Sequence, residues 1–364
     1  MRRVLIILAI LGGSYFYIWQ RFVHAPDLPE PWFALATAFI VIGAPSLPFA
    51  TFRTRHMPRA RRRVWLFVIY TWFGLATYLL LFAAITHLVC AIAGVSPRAA
   101  ALAGVTAALA TVIAGMIHVK LGPSVRRVRI ALPGLPAAVD GYTIVQLTDV
   151  HIGVMLGRDF AAKVVERVNA LAPDLIVITG DFVDGRLSEL APHVEPFRGL
   201  AARDGVYAVT GNHEYYWDAD AWLAHLGSLG LRILRNQHVT IRGGFELAGV
   251  DDSTSERLAQ GHGEDVATAL AGRDPALPVV LLAHHPSTLP RARAAGVDLQ
   301  LSGHTHGGQL LPFGYLSRLF EPHVSGLARF GATQLYVSEG TGFWGPPLRV
   351  GTSCEIAHIT LTPA

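Results

Sequence analysis

The sequence predicts an α/β protein in two parts: N-terminal transmembrane helices, then a layered α-β-β-α sandwich. Three observations predict this. Four long stretches free of Asp, Glu, Lys and Arg all lie before residue 120. From about residue 125, short β-branched runs alternate with Ala-rich helical segments, the pattern of helices layered on a central sheet. Two late runs, Gln334–Ser338 and Glu355–Leu361, read as strands with no helix between them. They add a second sheet, and so a sandwich rather than one doubly wound sheet. The expected division is a membrane domain with four transmembrane helices over 1–119 and a second domain over 125–364.

Composition agrees with that division. A chain of 364 residues has room for a membrane part and one domain. It is 52% hydrophobic and only 15% charged, with the apolar residues concentrated in the first third. The net charge of +4 is spread unevenly. It speaks to membrane topology, and no nucleic-acid partner is expected. The two cysteines, Cys90 and Cys354, form neither a metal motif nor a disulfide framework. Sixteen histidines stand out, several of them in the second half beside Asp, Gly and Pro.

The uncharged stretches are Val4–Gln20, Pro31–Phe52, Val64–Pro97 and Ala99–Val119. Each is near or above the roughly 20 residues needed to cross a bilayer. Trp19, Trp32, Trp65 and Tyr70 suit the membrane–water interface, where aromatic side chains collect. Arginines set the orientation. Arg2 and Arg3 precede the first stretch; Arg53, Arg55, Arg59, Arg61, Arg62 and Arg63 lie between the second and third; Lys120, Arg126, Arg127 and Arg129 follow the fourth. The positive-inside rule then places both termini, and the second domain, in the cytoplasm. The same arginines suit contact with anionic membrane lipids. Val23-His24-Ala25 loosely resembles a signal-peptide cleavage site, but Pro26 directly after it argues for retention of the first span. His87 and His118 have no acidic partner within these stretches and read as structural.

In the second part Thr143–Thr148, Asp174–Thr179, Val206–Thr210, Pro278–Ala283 and Leu299–Ser302 read as strands. Helices are expected at Arg158–Leu171, Ala219–Leu229, Glu264–Ala271 and Leu289–Ala295, and an entry loop at Ala131–Val139. Each strand runs into polar residues. Asp149-Val150-His151 follows the first, Gly180-Asp181-Phe182-Val183-Asp184 the second, and Gly211-Asn212-His213-Glu214 the third. His284-His285-Pro286 follows the fourth and Gly303-His304-Thr305-His306 the fifth. Open α/β sheets bind ligands at the carboxyl ends of their strands, so these ends should converge on one crevice. In Asp-x-His and His-x-His, extended backbone would point both residues to one side. Asp, Asn and His without Cys suit Mn, Fe or Zn, and more than four such ligands argue for two ions.

This ordered set resembles the calcineurin-like metallophosphoesterase superfamily. Gly303-His304-Thr305-His306-Gly307-Gly308-Gln309, with Val337-Ser338-Glu339-Gly340-Thr341-Gly342 and Arg349, resembles its membrane-associated bacterial branch, which includes enzymes similar to UDP-diacylglucosamine pyrophosphatases. The resemblance implies two divalent ions. Asp149, His151 and His306 would hold the first, Asp181 would bridge, and Asn212, His284 and His304 would hold the second. His284 is preferred to His285 because the family's ligand stands two before a proline. His213 would serve the leaving group, with Asp184 orienting it.

The implied activity is hydrolysis of a phosphoester or pyrophosphate bond by a metal-bridging hydroxide. The membrane part points to a lipid-linked substrate. Two rivals stand beside it: an anchored general phosphodiesterase or phosphomonoesterase, and a non-catalytic metal-dependent sensor or transporter. Glu214 reads equally as a residue behind the site or on the surface. Tyr215, Tyr216 and Trp217 read equally as a substrate mouth or as packing. Arg349, His262 and His323 read as structural, and Gly340 and Gly342 as turn glycines.

Overall fold

The computed structural model describes every residue except Met1, 48–52, Gln260 and Pro322, and every side chain among them except those of residues 2–4, Arg55 and Phe313. The chain forms two compact units. One comprises Met1–Lys120 with Gly345–Val350, the other Leu121–Trp344 with Gly351–Ala364.

In the helical unit, three helices are long and apolar enough to cross a membrane: Leu5–His24, Arg59–Ala93 and Pro97–Lys120. The second uncharged stretch behaves differently. It forms a 12-residue helix, Trp32–Gly43. At 1.5 Å per residue that is about 18 Å, short of the roughly 30 Å hydrocarbon core. Pro45 follows almost at once, and proline lacks the N–H that a continuing helix needs. Residues 48–52 of that stretch lie outside the described ones. Small residues let the helices close on aromatic rings, as in membrane bundles. A Cβ on Gly43 would collide with the Trp72 indole, and one on Gly104 with the Phe22 ring. His87 has a hydrogen-bond partner here, the Tyr17 hydroxyl at 2.9 Å from its Nδ1.

The second unit holds twelve strands: β1 (Ser124–Leu132), β2 (Thr143–Leu147), β3 (Leu175–Thr179), β4 (Val206–Val209), β5 (Arg232–Ile233), β6 (Gln237–Ile241), β7 (Phe245–Gly249), β8 (Val279–Leu282), β9 (Leu299–Ser302), β10 (Gly326–Phe330), β11 (Thr333–Val337) and β12 (Glu355–Pro363). They make two six-stranded sheets, ordered β1-β12-β2-β3-β4-β5 and β10-β11-β9-β8-β7-β6. The neighbours β2, β3 and β4 are parallel, and so are β7, β8 and β9. Their carboxyl ends can therefore share one edge.

Side-chain alternation builds the layers. Ile144, Leu175, Val177, Tyr207 and Val209 of the first sheet join Leu247, Val280, Leu282, Leu299 and Leu301 of the second in one buried core. The alternate residues Val145, Ile176, Ile178 and Ala208 pack with Val164, Val168 and Trp222 from the helices Arg158–Asn169 and Ala219–Ser228. On the far face of the second sheet, Ala248, Val279 and Leu281 meet Val266, Ala269 and Ala292. This is the expected α-β-β-α sandwich.

One expectation needs correction. Ala131 and Leu132 are not part of an entry loop; they end β1, which runs parallel to β12 from Ser124. The strand is hard to read because exposed Arg127 and Arg129 alternate with buried Ile130 and Leu132, a half-buried strand disguised by its charge.

Candidate dimetal site

The polar residues that follow β2, β3, β4, β8 and β9 meet in two adjoining clusters. In the first, His151 Nε2 lies 3.0 Å from His306 Nε2. Asp149 Oδ1 stands 3.3 Å from His306 Nε2 and 3.9 Å from His151 Nε2. In the second, Asn212 Oδ1 is 3.2 Å from His284 Nε2 and 3.1 Å from His304 Nδ1. Asp181 joins them through a single atom: its Oδ2 lies 3.9 Å from His151 Nε2 and 3.2 Å from His284 Nε2. Ligand atoms held about 2.1 Å from one ion stand roughly 3.0–3.4 Å apart, so both clusters have spacings close to those of a coordination shell.

The hydrogen bonds leave the right atoms available. Asp149 Oδ2 accepts from Thr148 Oγ1 at 2.7 Å and from the His304 N–H at 3.0 Å. Its Oδ1 is buried and makes no hydrogen bond. Asp181 Oδ1 accepts the His213 N–H at 2.9 Å, which leaves Oδ2 facing both clusters. His284 Nδ1 donates to the Thr179 carbonyl at 2.7 Å, which turns the Nε2 lone pair toward Asp181 and Asn212. Burial pushes His151 down to about 3, helped by neighbouring His306, and His304 down to about 2, helped by His284 and His285. Neutral imidazoles are the form that binds a metal. Burial disfavours the charged form of His284 too, but the Asp181 carboxylate beside it raises that ring well above the usual range, so an ion there would displace a proton. The residues present thus fit a pair of divalent ions.

The backbone reaches this arrangement by an unexpected route. Asp149, His151, Asp181, His304 and His306 have φ of 50°, 50°, 54°, 69° and 52°. These are left-handed conformations that non-glycine residues adopt rarely and at a cost. The extended geometry expected for Asp-x-His and His-x-His does not hold. Asp149 and His151 still share a cluster, but His304 and His306 part company, one to each. Two glycines permit the close approach. A Cβ on Gly303 would collide with Thr148 Oγ1 and Asp149 Oδ2, and one on Gly211 with Asp181 Oδ1.

His213 stands beside the clusters. Its Nδ1 is 3.2 Å from Asp184 Oδ1 and its Nε2 is 4.0 Å from Asp181 Oδ2. Burial disfavours its charged form, but the Asp184 hydrogen bond and the charges of Asp181, Asp184 and Glu214 outweigh that and raise it to about 9. The half-exposed rings of Tyr216 and Trp344 flank it, with centroids 5.1 and 5.8 Å away.

A family model described as Calcineurin-like phosphoesterase matches residues 142–308. An uncharacterized metallophosphoesterase of Aquifex aeolicus is 35% identical over 220 residues, spanning 60% of this chain and 84% of the relative. The chain belongs to the calcineurin-like phosphoesterase family. Two vertebrate relatives, each named transmembrane protein with metallophosphoesterase domain, are also similar. The Danio rerio protein is 38% identical over 271 residues and the Bos taurus protein 39% over 266. They cover 71% and 69% of this chain, which spans 62% and 60% of their own length.

Several features of this calcineurin-like phosphoesterase site were not legible in the sequence. Glu214 is no surface residue: it is 1% exposed. Its carboxylate accepts N–H groups from Gly211 at 2.7 Å, Phe182 at 2.8 Å, Asp181 at 3.0 Å and Val183 at 3.4 Å, tying two strand-end loops together. Asp252 follows β7 as the other acids follow their strands, and its Oδ2 lies 3.3 Å from His285 Nε2. His285 thus turns toward Asp252 while His284 faces Asp181, with the His285 ring 3.6 Å from that of His304. Tyr215 is buried and bonded to Thr210 and His262, so it packs and does not line a mouth. Trp344 gave no sequence signal. It is held there by Gln309, whose side chain donates to the Trp344 carbonyl at 2.9 Å and accepts its N–H at 3.1 Å.

Proposed function

We propose that this chain is an integral membrane hydrolase that cleaves a phosphoester or pyrophosphate bond, with a lipid-linked phosphate compound as substrate. Asp149, His151 and His306 would hold one divalent ion and Asn212, His284 and His304 the other, with Asp181 shared. The single observation that carries this reading is Asp181 Oδ2, one oxygen within 3.9 Å of a ligand atom of each cluster. A pair of bound ions supplies the activated water and the positive charge that offsets the phosphate. His213 needs no metal for its part. Asp184 takes its Nδ1, which fixes the ring and leaves Nε2 facing the site as the proton donor to the departing oxygen.

The lipid-linked substrate is supported by the three bilayer-length helices on the same chain. A cytoplasmic position for the second domain is supported by the arginines between residues 53 and 63 and after residue 119. The test uses the full chain in detergent, with bound metal measured and turnover compared on phosphomonoesters, phosphodiesters and nucleotide-lipid pyrophosphates. Preference for lipid pyrophosphates with two ions per chain is the expected result. Equal turnover of soluble esters would remove the lipid substrate, and metal without turnover would remove the enzyme reading.

A further inference from the structure

Among the described residues of the second unit, one concentrated apolar surface stands out, and it is built onto the loop that bears His304 and His306. After His306 the chain makes a short helix, Phe313–Ser317, and a following turn. Tyr315 is 62% exposed, Leu316 53%, Leu319 74% and Phe320 83%. Phe320 is the most exposed large apolar side chain among the described residues. A run of four such residues within six positions is unlike the scattered apolar residues of an ordinary protein surface. Local hydrogen bonds hold its shape: the N–H groups of Leu319 and Phe320 donate to the Leu316 and Ser317 carbonyls at 3.0 Å each.

Both ends of the excursion are fastened to the loop that bears His304 and His306. Gly314 lies so close to the Gly307 carbonyl that a Cβ there would stand 2.8 Å from the oxygen. The Thr305 hydroxyl donates to the Val324 carbonyl at 2.6 Å. The apolar tip is therefore displayed from the site rather than from a remote edge.

What covers the tip follows from its chemistry and from the chain that precedes it. Tyr and Arg among Leu and Phe are the residue types of the membrane–water interface. The Arg318 guanidinium sits 5.3 Å from the centre of the Tyr315 ring, a polar head beside an apolar body. Arg126 approaches the return of the excursion at Gly326, within 3.5 Å of a Cβ placed there. Its guanidinium lies 3.5 Å from the Glu355 carboxylate and 4.0 Å from that of Glu339, so exposed Arg318 is the cation that the turn itself offers to anionic headgroups. A bilayer is within reach of this unit, because the bilayer-length helix Pro97–Lys120 ends one residue before the unit begins at Leu121.

We propose that the Tyr315–Phe320 turn dips into the bilayer interface, with Arg318 at headgroup level, and that it holds the loop bearing His304 and His306 close to the lipid surface. The inference stands apart from the choice of substrate, since it concerns what the turn touches and not what is cleaved. The test places an environment-sensitive nitrobenzoxadiazole label on Phe320→Cys, and separately on Leu319→Cys. The full chain carries Cys90→Ser and Cys354→Ser and is reconstituted into phosphatidylcholine–phosphatidylglycerol vesicles. Nitroxide-labelled lipid should quench either label at least twofold, and aqueous iodide should quench it little. Adding Leu316→Asp should reverse that pattern while turnover of a soluble ester stays within twofold. A label quenched by iodide and not by lipid nitroxide would overturn the proposal. So would protection that disappears when each vesicle holds a single copy, since the turn would then be covered by a second chain.

Discussion

Glu214 lends itself to a quantitative test, because its carboxylate is a scaffold made of four backbone hydrogen bonds. Oε2 takes the N–H groups of Gly211 and Asp181, and Oε1 takes those of Phe182 and Val183. Glu214→Gln keeps the shape but turns one oxygen into an NH2 group, which must face two buried donors. The smaller loss falls on Oε1, since the Val183 contact at 3.4 Å is long and only the Phe182 bond at 2.8 Å is strong. A buried donor left facing the NH2 group costs about 1–3 kcal/mol, and with the second contact already long the total comes to about 2–4 kcal/mol. For a domain of this size that is a fall in Tm of about 5–15 °C. The assay is thermal unfolding of the full chain in detergent with chelator present, so that bound metal does not contribute. Turnover with metal restored should fall at least tenfold, because the loop that carries Asp181 loses its anchor. A Tm within about 2 °C of the parent, whatever the turnover, would refute the scaffold reasoning.

Four further outcomes are expected. His213→Ala should keep both ions by elemental analysis and lose about 10²–10⁴-fold in turnover, the usual range for a proton donor; loss of less than tenfold would remove His213 from the chemistry. Asp181→Ala should leave fewer than one ion per chain, and two retained ions would contradict the shared oxygen. Gly303→Ala should cost about 1–3 kcal/mol through overpacking and should lower metal content, because the new methyl meets Thr148 and Asp149; unchanged metal content and Tm would show that the loop yields freely. A reporter fused after Ala364 should be active only as a cytoplasmic reporter, and activity on the other side of the membrane would reverse the topology.

The strand ends were readable because each polar pair sits directly after a short strand-like run, β-branched in β2, β3, β4 and β8 and Leu-Gln-Leu-Ser in β9, and the sheet must deliver such a pair to its edge. What the residues do there was less readable. Alternation along a strand says where the side chains of an extended chain point, but five of these residues sit just past the strands in left-handed turns. That conformation depends on glycines and carbonyls contributed by other segments. Glu214 stayed open between a place behind the site and one on the surface because a short polar motif carries no sign of the N–H cradle around it. Asp252 went unnoticed because β7 is spelled Phe-Glu-Leu-Ala-Gly, with a buried Glu246 and a glycine in place of a β-branched run. In β1 the arginines concealed the strand. The helix Trp32–Gly43 fell short of its stretch at Pro45, a residue visible in the sequence but outweighed there by uninterrupted apolarity.

The parting of His304 and His306 has a consequence for how the centre loads. One short loop, held in two left-handed conformations, delivers one imidazole to each cluster. Strain of about 1–3 kcal/mol per such residue favours relaxation of the loop whenever neither imidazole is engaged. An ion held by either imidazole would also fix the loop that carries the other, so filling one cluster would favour filling its neighbour, and the two occupancies would be coupled positively.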